Sequence, residues 1–191
     1  SGAKYRVSLL PDDVHCFVFW SKNFIPFTDK LETLDKIGHR FYFNYTINGY
    51  PGFLEENMES PDKLADNLKR LSDSYSPEHI NWRYDPIVLS GKTGESWHLA
   101  NFEKIARGLS GYVKRCMFSF VNMYGKVKNN FTEISERTGI VIEQPGIDMM
   151  LSMSEKISDI AGKFGIDLFS CCGDSLVHGN IRKAHCIDGE L

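Results

Sequence analysis

Short apolar runs alternate with stretches of helical periodicity along most of this chain. Residues 14–20 (VHCFVFW) are apolar, β-branched or aromatic and show no helical period, which predicts a strand buried on both faces. Thr28 can cap the stretch of helical spacing that follows, and Gly38 can close it. The pattern continues with strands predicted at 41–47, 80–84, 113–121 and 166–170, and with helices near 29–37, 61–75, 96–109, 127–138 and 149–164.

The start of each later helix is marked by particular residues. Ser60 followed by Pro61 is an N-cap with proline at the first helical position, and Asp148 can cap the last helix. Between the fourth helix and the last one, residues 139–146 are predicted to be a loop.

The alternation of strand and helix indicates the fold class. Strands separated by helices pair in parallel through right-handed crossovers, so we predict an α/β protein. Periodicity alone does not separate an open sheet from a barrel, but no glycine-rich phosphate loop follows any strand, and polar residues follow most of them. We therefore predict one domain over residues 1–191 with a parallel (β/α) barrel-like fold, partial or irregularly closed, and expect it to be a fragment of a longer chain.

Composition and charge narrow the function classes. Of the 191 residues, 42% are hydrophobic and 25% charged, as in ordinary globular proteins. The formal charge of -3 gives no basic field for a phosphate backbone, so nucleic-acid binding is not expected. No apolar run is long enough for a membrane helix, and no signal peptide precedes the domain, so we expect a cytoplasmic protein without a membrane partner. The oligomeric state is left open.

Polar side chains at the ends of four predicted strands form the first candidate site. We predict catalytic roles for Lys22, Arg83 and Asp85, because Arg can grip a carboxylate or phosphate with its planar fork and Asp can hold that Arg or act as an acid or base. An anionic small molecule is the expected substrate. The predicted substrate-binding residues are Trp20, Asn23, Asn44, Thr46, Ser119 and Asn122.

A purely structural role for these residues stays open. Arg83 and Asp85 can simply fix the loop before Pro86. Trp20 and Trp82 flank the charges, and core packing is the preferred interpretation for both.

Three cysteines near the end of the chain form the second candidate site. Cys171, Cys172 and Cys186 are predicted as metal ligands because thiolates select zinc or iron–sulfur clusters. Their spacing contains no C-x-x-C pair, so buried core thiols are the alternative. Cys16 and Cys116 lie inside predicted strands and are assigned to the core.

Three segments carry a resemblance to a known family. Residues 19–23 (FWSKN), 82–87 (WRYDPI) and 186–191 (CIDGEL) resemble, in this order, signature segments of an uncharacterised bacterial family called domain of unknown function 1848. The resemblance covers most of the chain and implies a barrel-like fold. It also implies a connection to radical S-adenosylmethionine enzymes, because family members are similar to those enzymes in a C-terminal cysteine cluster that would hold a [4Fe-4S] centre.

Two departures from the family pattern limit what carries over. The Ser-Arg-Arg-Thr-Asp-Ile-like segment typical of the family does not precede Tyr5, and the C-x-x-x-C-x-x-C tail expected after Cys186 is missing. The resemblance thus implies an iron–sulfur cluster and S-adenosylmethionine in a longer chain, with cluster ligands outside this sequence. Two hypotheses stay open: the substrate-binding barrel of an iron–sulfur enzyme of unknown substrate, or a non-redox module that binds an anionic metabolite or a protein partner.

Overall fold

A computed structural model describes residues 5–171 and 173–187 of the chain. The strands in this part are β1 (Phe17–Ser21), β2 (Phe41–Thr46), β3 (Ile80–Ile87), β4 (Leu89–Ser90), β5 (Arg115–Phe120), β6 (Ile142–Glu143), β7 (Asp167–Ser170) and β8 (Arg182–Lys183). The α-helices are α1 (Thr28–Ile37), α2 (Pro61–Tyr75), α3 (Glu95–Leu109), α4 (Gly125–Thr138) and α5 (Ile147–Lys163).

Six of these strands form one parallel sheet in the order β1-β2-β3-β5-β7-β8. The sheet order follows the chain order, so each crossover leads to the next strand in the same direction. β4 and β6 form a separate antiparallel pair. All carboxyl ends of the large sheet therefore lie along one edge, where ligands bind in parallel α/β folds.

One face of the sheet is packed against helices, and we call it the helix face. Its strand residues are aromatic or aliphatic, and they form one core cluster with buried residues of α1, α2, α3 and α5. Trp82 stacks on Phe102 of α3 at a ring distance of 4.7 Å, and Phe41 meets Tyr75 of α2 at 5.1 Å. Successive side chains of a strand point to opposite faces of the sheet. These contacts therefore show which residues of each strand lie on the helix face and which lie on the opposite face.

The opposite face, which we call the polar face, carries the alternate residues of the same strands. Asn44, Asn81 and Arg83 are almost fully buried on it, and Thr46 is 7% exposed. Buried polar groups cost free energy unless they are hydrogen-bonded. A face that buries so many of them is therefore suited to a ligand site rather than to a core.

The structure confirms the α/β class with a mostly parallel sheet. It has six strands in that sheet where five were predicted, because β8 is a two-residue strand without a detectable pattern. The predicted loop at 139–146 is wrong in part, since it contains β6. Asp148 is not the cap of α5, whose N-cap is Gly146, and Thr28 is the first residue of α1 rather than its cap.

Barrel closure is not seen in the described part of the chain. There β1 and β8 are the outer strands of the sheet, and no pairing joins them. The helices of residues 5–171 and 173–187 include none that combines the length and the apolar character needed to cross a bilayer.

Candidate functional site

Arg83 is the centre of the candidate site. Its position on β3 points the side chain to the polar face, where the residue is only 3% exposed. One terminal nitrogen, Nη2, donates to Asp85 and lies 3.7 Å from the Cys171 sulfur, while Nη1 lies 3.6 Å from the sulfur of Met117. Nε is buried and has no hydrogen-bond partner among the described residues. The guanidinium thus contacts its own strand, β5 and the residue that follows β7, and its Nε–H is unused.

Asp85 is held on three sides. Residues two apart on a strand share a face, so Asp85 reaches its ion-pair partner Arg83 directly, and Ser119 of β5 donates to the other carboxylate oxygen. Asn48 fixes the backbone of Asp85: its Oδ1 accepts from the Asp85 amide at 2.8 Å, and its Nδ2 donates to the Asp85 carbonyl at 3.1 Å. The carboxylate is therefore positioned as a hydrogen-bond acceptor.

Trp20 covers Arg83 from β1. The guanidinium carbon lies 4.5 Å from the indole centroid, which is the geometry of a cation–π contact. Trp20 is 49% exposed, so the interpretation of core packing is wrong for this residue. The same interpretation is correct for Trp82, which is fully buried on the helix face.

Lys22 lies beside this cluster but pairs with another carboxylate. Its Nζ contacts Glu55, whose side chain is 9% exposed, and Asn48 Nδ2 lies 3.3 Å from the same Glu55 oxygen. Asn48 therefore links the Lys22 pair to the Asp85 backbone. Arg83 and Asp85 form one ion pair, and Lys22 and Glu55 form a second one beside it, so each pair is neutral in sum.

A cavity of about 200 Å³ opens next to the second ion pair. It combines apolar walls with a few polar groups, the usual composition of a small-ligand site. The residues that line it are Lys22, Asn48, Tyr50, Leu54, Glu55, Pro86, Val88, Val121, Val127, Asn130 and Phe131.

The remaining predicted substrate-binding residues are divided. Asn44 is buried, accepts from Asn81 Nδ2 at 3.2 Å, and lies with its own Nδ2 3.5 Å from the Cys186 carbonyl. Thr46 is paired with Arg83 in the register of β2 and β3. Asn23 is used locally, because its side chain accepts from the Ile25 amide at the start of a short 3₁₀ helix.

Asn122 lies beyond the end of β5, and the described part of the structure gives it no hydrogen bond with Arg83 or Asp85. Glu55, in contrast, was not predicted. It lies between Pro51 and Ser60, in a segment with neither helical nor strand period, so no sequence signal marks it.

Two cysteines meet at the carboxyl edge of the sheet. Cys171 follows β7, and its amide donates to the Phe118 carbonyl at 2.8 Å, which continues the ladder with β5. The chain then passes through β8 and reaches Cys186, whose sulfur lies 3.8 Å from that of Cys171. Partial burial raises the pKa of the Cys186 thiol, as does the neighbouring Cys171. Cys172, the third predicted ligand, lies outside the described residues.

This donor set does not fit the cluster that the family resemblance implies. The cysteine ligands of a [4Fe-4S] cluster each bind a separate iron, whereas these two sulfurs are in mutual contact. Cys116, near the amino end of β5, is buried on the helix face and is a core thiol, as predicted. Across residues 5–171 and 173–187, no three His, Cys, Asp or Glu side chains form a group able to hold a metal ion. The described residues therefore assign no reaction step to an iron–sulfur centre.

A buried polar network supports the site from the helix face. The Tyr84 hydroxyl lies 2.9 Å from His98 Nδ1, and Nε2 of that histidine lies 3.0 Å from the Val88 carbonyl. Asn101 joins this network to the site, since its Nδ2 donates to the Tyr84 hydroxyl and to the Asn48 carbonyl. Burial lowers the pKa of His98 to about 4, so the imidazole is neutral at pH 7.

Comparisons with known proteins place the chain in a family but give it no activity. No curated protein sequence matches it. Among solved structures it is similar to one described as the IOLI protein with a binding zinc atom, with 18% identity, a TM-score of 0.42, and coverage of 81% of this chain and 50% of that one. The TTHB071 protein from Thermus thermophilus, soaked with ZnCl2, has 12% identity, a TM-score of 0.40, and coverage of 82% of this chain and 54% of that one. The chain thus spans about half the length of these two proteins.

The family comparison agrees with the three signature segments. The sequence profile described as domain of unknown function 1848 matches residues 1–191, the whole of the sequence. The Arg83–Asp85 pair, Trp20 and Lys22 all lie in two of the segments that carried the resemblance, and Cys186 opens the third. The chain belongs to the family of domain of unknown function 1848.

Proposed function

We propose that the carboxyl edge of the polar face is the substrate site of a (β/α) barrel-like domain, and that it binds a small molecule through an anionic group. The observation that carries this proposal is the state of Arg83. A guanidinium buried to 3% exposure, with Nε unpartnered in the described part of the chain, is an anion-binding group with a donor to spare.

The surroundings of Arg83 allow its guanidinium to bind an anion and the Asp85 carboxylate at the same time. The carboxylate engages Nη2, which leaves Nε for an incoming oxygen. Trp20 covers the guanidinium and limits the access of water to it. Lys22 is partly exposed beside the cluster, and its ammonium, although paired with Glu55, supplies further N–H donors at the entrance.

The iron–sulfur and S-adenosylmethionine chemistry implied by the resemblance stays a prediction for a longer chain. In that hypothesis the cluster docks on the same edge, with ligands other than Cys171 and Cys186. Anaerobic purification of the full-length protein with iron and sulfide analysis tests it: stoichiometric iron and sulfide support a redox enzyme, and their absence favours the non-redox anion-binding hypothesis.

Anion binding is tested by titration calorimetry with inorganic phosphate and with succinate as probes. Arg83→Lys keeps the charge but loses the bidentate fork, so it should weaken binding by about 1–3 kcal/mol, or about 5- to 150-fold. Arg115→Lys is the matched control, because Arg115 lies on the same face at the opposite, amino end of β5. Equal loss in both variants, or unchanged affinity in Arg83→Lys, would contradict the proposal.

A further inference from the structure

The cavity of about 200 Å³ beside the Lys22–Glu55 pair borders the anion site along β1. Trp20 of this strand covers the Arg83 guanidinium, with 4.5 Å between the guanidinium carbon and the indole centroid. Lys22, two positions further along the chain, lines the cavity. Residues two apart on a strand lie about 7 Å apart on one face, so the cavity begins one such step beyond Arg83.

The cavity also borders Asp85, on β5 and β3. Ser119 of β5 donates to the Asp85 carboxylate, and Val121, two positions later, lines the cavity while its amide continues the ladder with β3 at 2.9 Å. Pro86 directly follows Asp85 and lines the cavity as well. Asn48, whose side chain bonds both backbone polar groups of Asp85, is a further lining residue. The Arg83–Asp85 pair and the cavity are therefore neighbouring parts of one region of the edge.

Most of the cavity wall is hydrocarbon. Leu54 and Val88 line it, and α4 contributes Val127 and Phe131, which are four positions apart and so lie on one face of the helix. Both of these α4 side chains are only partly buried, and α4 contains no fully buried residue. Apolar area that the fold leaves uncovered is stabilised when the hydrocarbon part of a ligand displaces water from it.

The size and charge of the cavity restrict what it accepts. A cavity of about 150 Å³ accommodates benzene, so one of about 200 Å³ accommodates a hydrocarbon group of about six carbon atoms. Glu55, the one carboxylate among the lining residues that the structure describes, is paired with Lys22 and lies 3.3 Å from Asn48 Nδ2. A second anionic group of the ligand would have to separate this pair, and an apolar group would not.

We propose that the ligand of this site is a monoanion with an apolar tail of about six carbon atoms, whose charged group binds at Arg83 and whose tail occupies the cavity. This inference deepens the proposed function and rests on it. The two ion pairs then have different roles. The Arg83–Asp85 pair binds the charged group, and the Lys22–Glu55 pair disfavours ligands that carry a second negative charge.

Straight-chain carboxylates of increasing length are the probes that test this inference. Titration calorimetry on the full-length protein compares acetate, butanoate, hexanoate and octanoate. Each methylene group should tighten binding by about 4-fold up to hexanoate, as expected when a CH₂ group is fully buried, with little further gain at octanoate. Adipate, which has the length of hexanoate but a second carboxylate, should bind more weakly than hexanoate.

Three variants locate the tail. Val127→Phe fills the cavity from α4, so hexanoate should bind no better than acetate. Ile134→Phe is the matched control, because Ile134 belongs to the same partly buried stripe of α4 but does not line the cavity, and it should keep the 4-fold increments. Phe131→Ala enlarges the cavity and should extend the gain in affinity from hexanoate to octanoate. If Val127→Phe does not fold, the result for Phe131→Ala decides.

The outcomes distinguish failure of the tail site from failure of the anion site. Equal affinity for all four carboxylates, or a chain-length dependence in Val127→Phe equal to that in Ile134→Phe, would overturn the tail site and leave anion binding intact. Unchanged hexanoate affinity in Arg83→Lys, with phosphate binding weakened, would show that the cavity and Arg83 bind separate ligands. If neither phosphate nor acetate binds to the wild type, the proposed function fails, and this inference fails with it.

Discussion

The two faces of the sheet are built from alternate residues of the same strands, yet they differ in what they contribute. On β3, Trp82 and Tyr84 pack against Phe102 of α3, while Arg83 and Asp85 between and beside them form an ion pair on the other face. Burial of aromatic area stabilises the fold, whereas a buried ion pair roughly offsets its own desolvation. Stability is therefore concentrated on the helix face, and the polar face has residues that stability alone does not explain.

The sharpest way to break this comparison is to truncate one tryptophan on each face. Trp82→Ala removes a fully buried side chain stacked at 4.7 Å on Phe102, and it should lower the free energy of unfolding by about 3–5 kcal/mol. Trp20→Ala, at a residue that is 49% exposed, should cost much less stability but weaken anion binding. Urea unfolding followed by circular dichroism measures both. Similar destabilisation by the two variants would show that the polar face is also a stability core.

The second prediction concerns pH and the helix face. The pKa of His98 is lowered from 6.5 to about 4, so between these pH values the unfolded chain takes up a proton that the folded chain does not. The stability contributed by the neutral imidazole is complete above about pH 6.5, falls as the pH decreases, and levels off below about pH 4. The loss amounts to about 3 kcal/mol.

The measurement is the urea midpoint across this pH window in the wild type and in His98→Gln. Glutamine can still donate to the Val88 carbonyl but does not titrate, so its stability curve should lack this component. A His98→Gln curve parallel to that of the wild type would show that other groups cause the pH dependence.

Sequence patterns were sufficient wherever the information is local. Ser60 followed by Pro61 marks the start of α2, and the Ser60 hydroxyl does accept from the Lys63 amide at 3.3 Å. The two-residue period of a strand likewise gives Arg83 and Asp85 a common face. Both features depend on neighbours within a few positions, so a single sequence contains them.

The contacts that the sequence did not reveal join residues that are distant along the chain. Glu55 reaches Lys22 from a segment without periodicity, over a separation of 33 residues. Cys186 reaches Cys171 only because β8, a two-residue strand, adds to the edge of the sheet. Neither contact leaves a pattern near its own residues, which is why the sequence did not identify Glu55 as the partner of Lys22.

The third prediction sharpens the comparison by replacing the ion pair on the polar face. Arg83→Met combined with Asp85→Leu substitutes apolar groups of similar size for both charges at once. Such exchanges are often neutral or stabilising, so we expect unfolding free energy equal to the wild type or raised by about 1 kcal/mol, with loss of phosphate and succinate binding. Arg83→Met alone leaves Asp85 without its partner and should be clearly less stable than the double variant. A double variant that fails to fold would assign the pair a structural role.

The smallest expected effect is that of Lys22, at the entrance of the site. The Lys22 side chain is 43% exposed, and ion pairs with one partner in solvent contribute little, so Lys22→Met should change the free energy of unfolding by less than about 1 kcal/mol. Glu55 keeps its contact with Asn48 at 3.3 Å, which limits the cost. Lys36→Met, which removes the exposed pair with Glu32 on α1, is the control for a pair remote from the site.

Anion affinity should separate these two lysines even though stability does not. Lys22→Met should weaken phosphate binding by a smaller factor than Arg83→Lys, and added salt should reduce the difference from wild type, because an exposed charge is screened and a buried one much less so. Lys36→Met should leave binding unchanged at every salt concentration. If Lys22→Met and Lys36→Met bind phosphate equally well at low salt, the entrance charge plays no part in recognition, and Arg83 alone would have to hold the anion.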